Sequence, residues 1–392
     1  MYICDCCQKN NFYKILDLGK QPFANKYFIE DELSKEKTQQ MDINFCLNCF
    51  TANTNTIISR DYMFKNYFYL SSVNNELVTH FKKLANKIPP YAKLLDVGSN
   101  DGILLKLCKK KNIDTLGIDP SENVGKIAND QGLETIIGFF DNENVDFIIN
   151  KYGQFDFVVA SSIFTHVDNP SNFIENIYKV LSKDGTFILE IEYIYNIISK
   201  YEFERFYFDR PFYYSVTGIH KLITRYGLFI DNIEEISPHG GSLRFYIKKI
   251  KNQKSNQDLF FEKEFNYFRK ESITNYQNKI TQLSISFKKF LEDCKFKKKK
   301  VAAFGCPARF STITNFADID RDLINYVVDD NILKAGKLSP GKHIPIYPRK
   351  YMLDNEPDLI IVFAYEYFKS INTFTKNFNV EQYKPIPLIK LN

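Results

Sequence analysis

Two Cys-x2-Cys pairs, Cys4/Cys7 and Cys46/Cys49, constrain the start of this 392-residue chain more than any other feature. Each pair places two thiolates on one turn, and four thiolates suit a tetrahedral zinc ion in a closed, structural site. Four sulfur ligands leave no open position, so the expected role is stabilisation and not catalysis. The gap between the pairs is longer than in a short zinc finger and predicts a small hairpin module. Cys6 offers an alternative register with Cys7, but adjacent cysteines chelate one ion poorly. Of the eight cysteines, Cys108, Cys294 and Cys306 have no partner spacing and read as buried thiols. The N-terminus shows no basic segment followed by an apolar run, so no secretory signal is expected. Clustered cysteines in a cytoplasmic chain bind metal more often than they form disulfides.

Beyond the cysteines the pattern changes. The runs Leu94–Val97, Thr115–Ile118, Phe157–Ala160 and Thr186–Ile191 are short and apolar, separated by helical stretches, with a helix expected over Asn75–Lys87. Strands alternating with helices predict a parallel sheet covered on both faces. Residues 255–295 carry helical periodicity, and Val301–Phe304, Ile324–Val328 and Leu359–Phe363 restart the alternation. The fold class is therefore α/β in three parts. A zinc-binding module covers residues 1–75, a Rossmann-like domain 76–254, and a helical connection with a second Rossmann-like domain 255–392. No apolar stretch approaches the length of about 20 residues that a spanning helix needs, so no membrane association is expected. The net charge of +5 is too small to argue for nucleic acid. The basic run Lys295–Lys300 reads as a solvated helix end. The pattern leaves the oligomeric state open between monomer and dimer.

The segment Leu94-Leu95-Asp96-Val97-Gly98-Ser99-Asn100-Asp101-Gly102 reads as strand, glycine turn and helix start. Gly98 and Gly102 allow close approach of backbone to a ligand at the carboxyl end of the strand. Asp119 ends the next strand, about 20 residues on, where an acidic side chain accepts ribose hydroxyls. No Gly-x-Gly-x-x-Gly or Gly-Lys-Ser/Thr motif is present, which favours a nucleoside without a pyrophosphate: S-adenosylmethionine. Gly98, Ser99, Asn100, Asp101, Gly102, Asp119 and Ser161 are the expected cofactor residues. Ser161 to His166 follow a central strand and are expected at the crevice, with His166 a candidate acid/base. His239, in His239-Gly240-Gly241, is a second such candidate. Gly305-Cys306-Pro307-Ala308-Arg309 follows a later strand and opens a helix, where backbone N–H groups receive phosphate. Asp329 ends the following strand as Asp119 does, so Gly305, Arg309 and Asp329 are expected on the substrate.

Several longer segments carry a resemblance. They are Leu18-Gly19-Lys20-Gln21-Pro22-Phe23-Ala24-Asn25, Tyr67-Phe68-Tyr69-Leu70-Ser71-Ser72, Pro238-His239-Gly240-Gly241-Ser242-Leu243-Arg244, Val327-Val328-Asp329-Asp330-Asn331 and Pro340-Gly341-Lys342-His343-Ile344-Pro345-Ile346. With the glycine loops they resemble, from Cys4 to about residue 370, the S-adenosylmethionine-dependent C-methyltransferases of nucleotide-linked deoxysugars. The resemblance implies cofactor in the central domain, a nucleotide-sugar near the C-terminal domain, and zinc on Cys4, Cys7, Cys46 and Cys49. It also implies a Tyr-His-Glu-His stretch before an aromatic pair. Here the segment reads Phe206-Tyr207-Phe208-Asp209-Arg210-Pro211-Phe212-Tyr213-Tyr214. Tyr207 keeps its place, but Arg210 replaces the family's base. Arginine stays protonated at pH 7 and cannot abstract a proton. The expectation is therefore hydroxyl O-methylation ahead of C-methylation, with Tyr207, Asp209, His166 and His239 as catalytic candidates. Arg210, Tyr213 and Tyr214 are expected on the substrate. The competing reading from another class is a zinc-ribbon nucleic-acid-binding protein.

Overall fold

The computed structural model describes residues 3–54, 58–64, 71–73, 75–237 and 241–392. Its centre is a seven-stranded sheet. The strand order is Phe229–Ile236, Ser242–Lys248, Leu181–Glu192, Phe155–Ser161, Lys93–Val97, Asp114–Asp119, Thr135–Ile137. The last five of these run parallel, and Ser242–Lys248 is antiparallel to Leu181–Glu192. Alternate residues of the strands feed two cores. Leu94, Val159 and Ile188 pack under the helices Asn75–Ala85 and Ile103–Lys109, while Leu95, Val158, Phe187 and Leu189 pack under Pro170–Val180. Both faces are apolar, which is why these strands read as continuous hydrophobic runs. Order reverses between Lys93–Val97 and Phe155–Ser161, so a crevice opens at their carboxyl ends.

Local signals set the elements around that crevice. The helix Pro170–Val180 starts with Asn169, whose side chain accepts from Asn172 N, and Pro170 occupies the first turn. Its Phe173, Ile174, Ile177 and Val180 make one buried stripe. The helix Val216–Thr224 is capped by Ser215, which accepts from Gly218 N.

The N-terminal module is an antiparallel sheet of Phe12–Pro22, Thr38–Cys46 and Ala52–Thr54, completed by Phe212–Tyr213 from the central part of the chain. The module is a wedge. Ile15, Leu16, Met41 and Phe45 share a core with Phe287, Phe310 and Val327 of the C-terminal part. Of the four zinc-spaced cysteines, Cys4, Cys46 and Cys49 sit instead in the core of the central sheet, with Phe212, Tyr214 and Ile219, and the half-buried Cys7 packs against it. The C-terminal sheet has the order Ile346–Tyr347, Tyr326–Val328, Val301–Phe304, Leu359–Val362, Glu381–Lys384, Ile389–Lys390, all parallel except the last. The three helices Gln257–Tyr267, Lys270–Thr274 and Tyr276–Phe296 connect it to the central domain.

Candidate functional site

A cavity of about 530 Å³ occupies the central crevice. Gly98, Asn100, Asp119 and Ser161 line it from the strand ends, with Ser162, Ile163 and His166 beside them. Gly98 has φ +77°, and a side chain there would collide with Ile163. Asn100 and Ser162 also hold left-handed backbone, φ 50° and 60°. Such strain in non-glycine residues collects at ligand sites. Asn100 N donates to Asp119 Oδ2 and Ser121 N to Oδ1, both at 2.9 Å. Burial raises the Asp119 carboxyl above its usual range. The Ser121 hydroxyl also bonds this carboxylate, and three donors on a group with about four acceptor positions leave one open. Asp119 therefore fits a ribose hydroxyl, and the residues present suit a nucleoside cofactor. Ser99, Asp101 and Gly102 stand behind this rim. Asp101 Oδ2 accepts from Ser72 N at 3.2 Å, and Gly102 starts the following helix.

Beyond the strand-end residues, the same cavity is lined by His166 and Arg210. His166 Nδ1 lies 2.5 Å from the backbone carbonyl of Asp209. A carbonyl has no proton, so Nδ1 must donate, and Nε2 keeps the lone pair. Burial lowers the His166 pKa, keeping the ring neutral. Arg60 fixes this loop, with Nη2 on the His166 carbonyl and Nε on Asp168, each at 2.6 Å. Arg210 pairs with Glu192 at 2.5 Å. Tyr207 lies under the Arg210 guanidinium, 4.7 Å from ring centroid to Cζ, and burial raises its phenol pKa. Asp209 contributes its carbonyl to His166. Tyr213 and Tyr214 are fully buried; Tyr213 donates to the Arg205 carbonyl, and Tyr214 stacks on Phe164. They build the wall and do not line the cavity. His239, with Pro238 and Gly240, lies outside the described residues, as do Tyr67–Leu70.

The C-terminal candidates are not brought to this cavity. Gly305 packs where a side chain would meet Ala364. Asp329 Oδ2 is occupied by Cys306 N at 2.7 Å and Lys334 Nζ at 3.1 Å. Tyr27, from the N-terminal module, caps the same loop through the Cys306 carbonyl at 2.8 Å. Arg309 binds Glu366 at 2.8 Å. It is joined to the cavity by a chain of ion pairs: Glu366 to Arg205 at 2.6 Å, Arg205 to Glu192 at 4.0 Å, then Arg210.

The four predicted sulfurs, of Cys4, Cys7, Cys46 and Cys49, lie within 4.8 Å of one another. Cys4–Cys49 and Cys7–Cys46 are both 3.6 Å apart. Tetrahedral zinc with bonds of about 2.3 Å separates its sulfurs by about 3.8 Å, so the set fits. Cys6, Cys108, Cys294 and Cys306 are buried thiols outside it. Among the described residues no helix is long and apolar enough to cross a membrane.

Sequence reading missed Arg60, His80, Glu190 and Glu192. For the two glutamates a signal existed: Glu190 and Glu192 interrupt and close the apolar run that starts at Phe187, an unusual place for two carboxylates. Arg60 and His80 gave none.

Three family descriptions match the chain in order. "Putative zinc binding domain" matches residues 4–64, "Methyltransferase domain" 69–232, and "C-methyltransferase C-terminal domain" 237–387. The chain is similar to C-methyltransferase NovU of Streptomyces niveus, 23% identical over 96% of this chain and 92% of that one. It is also similar to an uncharacterized methyltransferase of Staphylococcus carnosus, 25% identical over 43% of this chain and 82% of that one. Among solved structures, a TehB-like SAM-dependent methyltransferase from Corynebacterium glutamicum covers 46% of this chain and 91% of its own, at 16% identity and TM-score 0.34.

Proposed function

This chain belongs to the S-adenosylmethionine-dependent methyltransferases that join a zinc-binding domain, a methyltransferase domain and a C-methyltransferase C-terminal domain, and we propose that it methylates a carbon of a nucleotide-linked sugar with His166 as base. The observation that carries the reading is the His166–Asp209 hydrogen bond. It leaves a neutral imidazole with its Nε2 lone pair free in the cavity wall. Arg210 in place of the family's histidine favours hydroxyl chemistry unless another base serves, and His166 supports the reading that one does.

When bound, S-adenosylmethionine supplies an already activated methyl electrophile. The chain's own work is to position and to move a proton. Gly98 and Asp119 hold the nucleoside side. Arg60, Asn169, Asn172 and Ser162 offer the polar wall that sugar hydroxyls need. His166 Nε2 takes the proton from the carbon beside a keto group, and the electron pair passes toward the carbonyl oxygen. Arg210, a fixed cation on the same wall, favours the negative charge that develops there. Unpaired thiols and a thiolate metal site suit a reducing compartment, and we place the enzyme in the cytoplasm.

Arg210 itself favours a second reading, transfer to a sugar hydroxyl. Such an acceptor loses its proton as it attacks and asks less of a base. Incubation with methyl-labelled cofactor and a panel of sugar nucleotides, followed by carbon NMR, separates the two. A methyl resonance on carbon is expected; one on oxygen sinks the first reading, and no transfer to any sugar nucleotide sinks both.

A further inference from the structure

A row of polar side chains lies beneath the Ser161 rim and takes no part in the proton transfer above. Ser161, Glu190 and Arg244 occupy opposed positions on three neighbouring strands. Ser161 faces Glu190 across a parallel pair, and Arg244 faces Glu190 across an antiparallel one. Opposed residues project to the same side of a sheet. His80 meets that side from the helix Asn75–Ala85, whose Leu77 and Phe81 line the cavity. The side chains are nearly sealed from solvent, 2% exposed for Glu190, 4% for Arg244 and 10% for His80.

The contacts are directional. Glu190 Oε1 receives Arg244 Nε at 2.6 Å. Oε2 meets His80 Nε2 at 2.8 Å and receives the Ser161 hydroxyl at 2.5 Å. Together they hold the carboxyl down to about 2, against its burial. An ionised carboxylate has no proton to give, so Ser161 must donate its own. A lone serine rotates and serves a carboxylate as readily as an ammonium. This one has its hydrogen turned inward and only lone pairs left for the cavity. Of the polar groups on a bound S-adenosylmethionine, only the adenine amine and the primary ammonium purely donate, and of these the ammonium carries the positive charge that an acceptor oxygen backed by a carboxylate favours.

We infer that Glu190, held by His80 and Arg244, is a positioning residue that makes Ser161 an obligate acceptor for the ammonium at the amino-acid end of the cofactor. Glu190 acts through Ser161 and touches no ligand. Exchanging it for glutamine gives Ser161 an N–H to accept, which turns the hydroxyl hydrogen toward the cavity and reverses the selection.

Calorimetry on the full chain tests this with two probes, S-adenosylhomocysteine and its deaminated analogue, which keeps the carboxylate. For Ser161→Ala and Glu190→Gln, affinity for S-adenosylhomocysteine should fall about tenfold or more while affinity for the deaminated analogue stays within about twofold. A merely structural role lowers both affinities together, and that result overturns the inference. So does an unchanged affinity in Ser161→Ala, which removes one hydroxyl and keeps the test valid should Glu190→Gln fail to fold. A wild-type chain that binds neither probe overturns the cofactor assignment itself, a result distinct from loss of discrimination.

Discussion

Arg210 and Glu192 form a buried ion pair at 2.5 Å, on the wall of the central cavity, with the guanidinium seated over Tyr207. Neither side chain is more than 10% exposed. Glu192 is shared with Arg205, which also binds Glu202 and Glu366. The charge of Arg210 is thus locally balanced, and the wall is polar without being a strong anion trap.

Removing one member of a buried pair costs about 3–5 kcal/mol, and here the loss of Arg210 leaves Glu192 only the more distant Arg205. Arg210→Met should therefore destabilise the fold by about 3 kcal/mol in denaturant melts. Glu192→Gln in the same chain should recover part of that loss, because the carboxylate left with the distant Arg205 alone is gone. Methyl transfer should stay impaired in the double variant, since the cation on the wall is still missing. A double variant less stable than Arg210→Met would show that the two groups do not compensate each other.

His166 sets the expected pH dependence. Its pKa lies below the usual histidine value because burial disfavours the cation. The base form is therefore fully present at neutral pH, and activity is lost only as pH falls through the lowered value. The acid limb of kcat/KM should lie below the ordinary histidine range. His166→Gln should remove that limb and lower kcat by about 10²–10⁴-fold. An acid limb that survives in the variant assigns it to another group.

Chelation should reach the active site through the zinc module. The Phe212–Tyr213 strand pairs with Ala52–Thr54, directly after the second cysteine pair. The module is tied down further by Ser215 on the Cys49 carbonyl and by Lys221 on the Asn48 carbonyl at 2.6 Å. The segment carrying Tyr207 and Arg210 runs straight into that strand. Zinc removal should speed hydrogen exchange at Phe212 and Tyr213 and abolish methyl transfer. S-adenosylhomocysteine binding should persist, because Gly98 and Asp119 stand on the central sheet. Unchanged turnover after complete metal removal would refute this coupling.

Much of this arrangement was legible because it is local. Leu94–Val97 and Phe157–Ala160 read as strands since both their faces are buried, and the cysteine spacing is the zinc site. What could not be read is set by register and by distant segments. Asp119 and Asp329 follow their strands at the same place, yet Asp119 faces the cavity and Asp329 is taken by Lys334 and the Cys306 amide. Nothing near Asp329 in sequence announces that Tyr27 will close the same loop. Tyr213 and Tyr214 show the other limit. An aromatic stretch next to a site does not say which rings face inward, and here both support the wall. Glu190 meets Ser161 only because two strands pair in one register.

Asp96 carries the last prediction. It sits mid-sheet, 4% exposed, and burial with the charges of Asp119 and Glu190 pushes its carboxyl up to about 8. The folded chain therefore keeps this carboxyl protonated at pH 7, while the unfolded chain releases the proton near 3.8. Between these values the native state binds more protons than the unfolded state, so this group's contribution falls as pH rises. It is fully present below 3.8 and gone once pH passes about 8. Asparagine mimics the neutral acid and does not titrate. Asp96→Asn should match wild type near pH 4 and exceed it by a margin that widens up to pH 8, in denaturant midpoints taken across that range. Because the variant also keeps the charge beside Asp119 at zero, its affinity for S-adenosylhomocysteine at pH 7 should equal that of wild type. A stability margin that narrows with rising pH would mean that Asp96 is ionised in the native sheet.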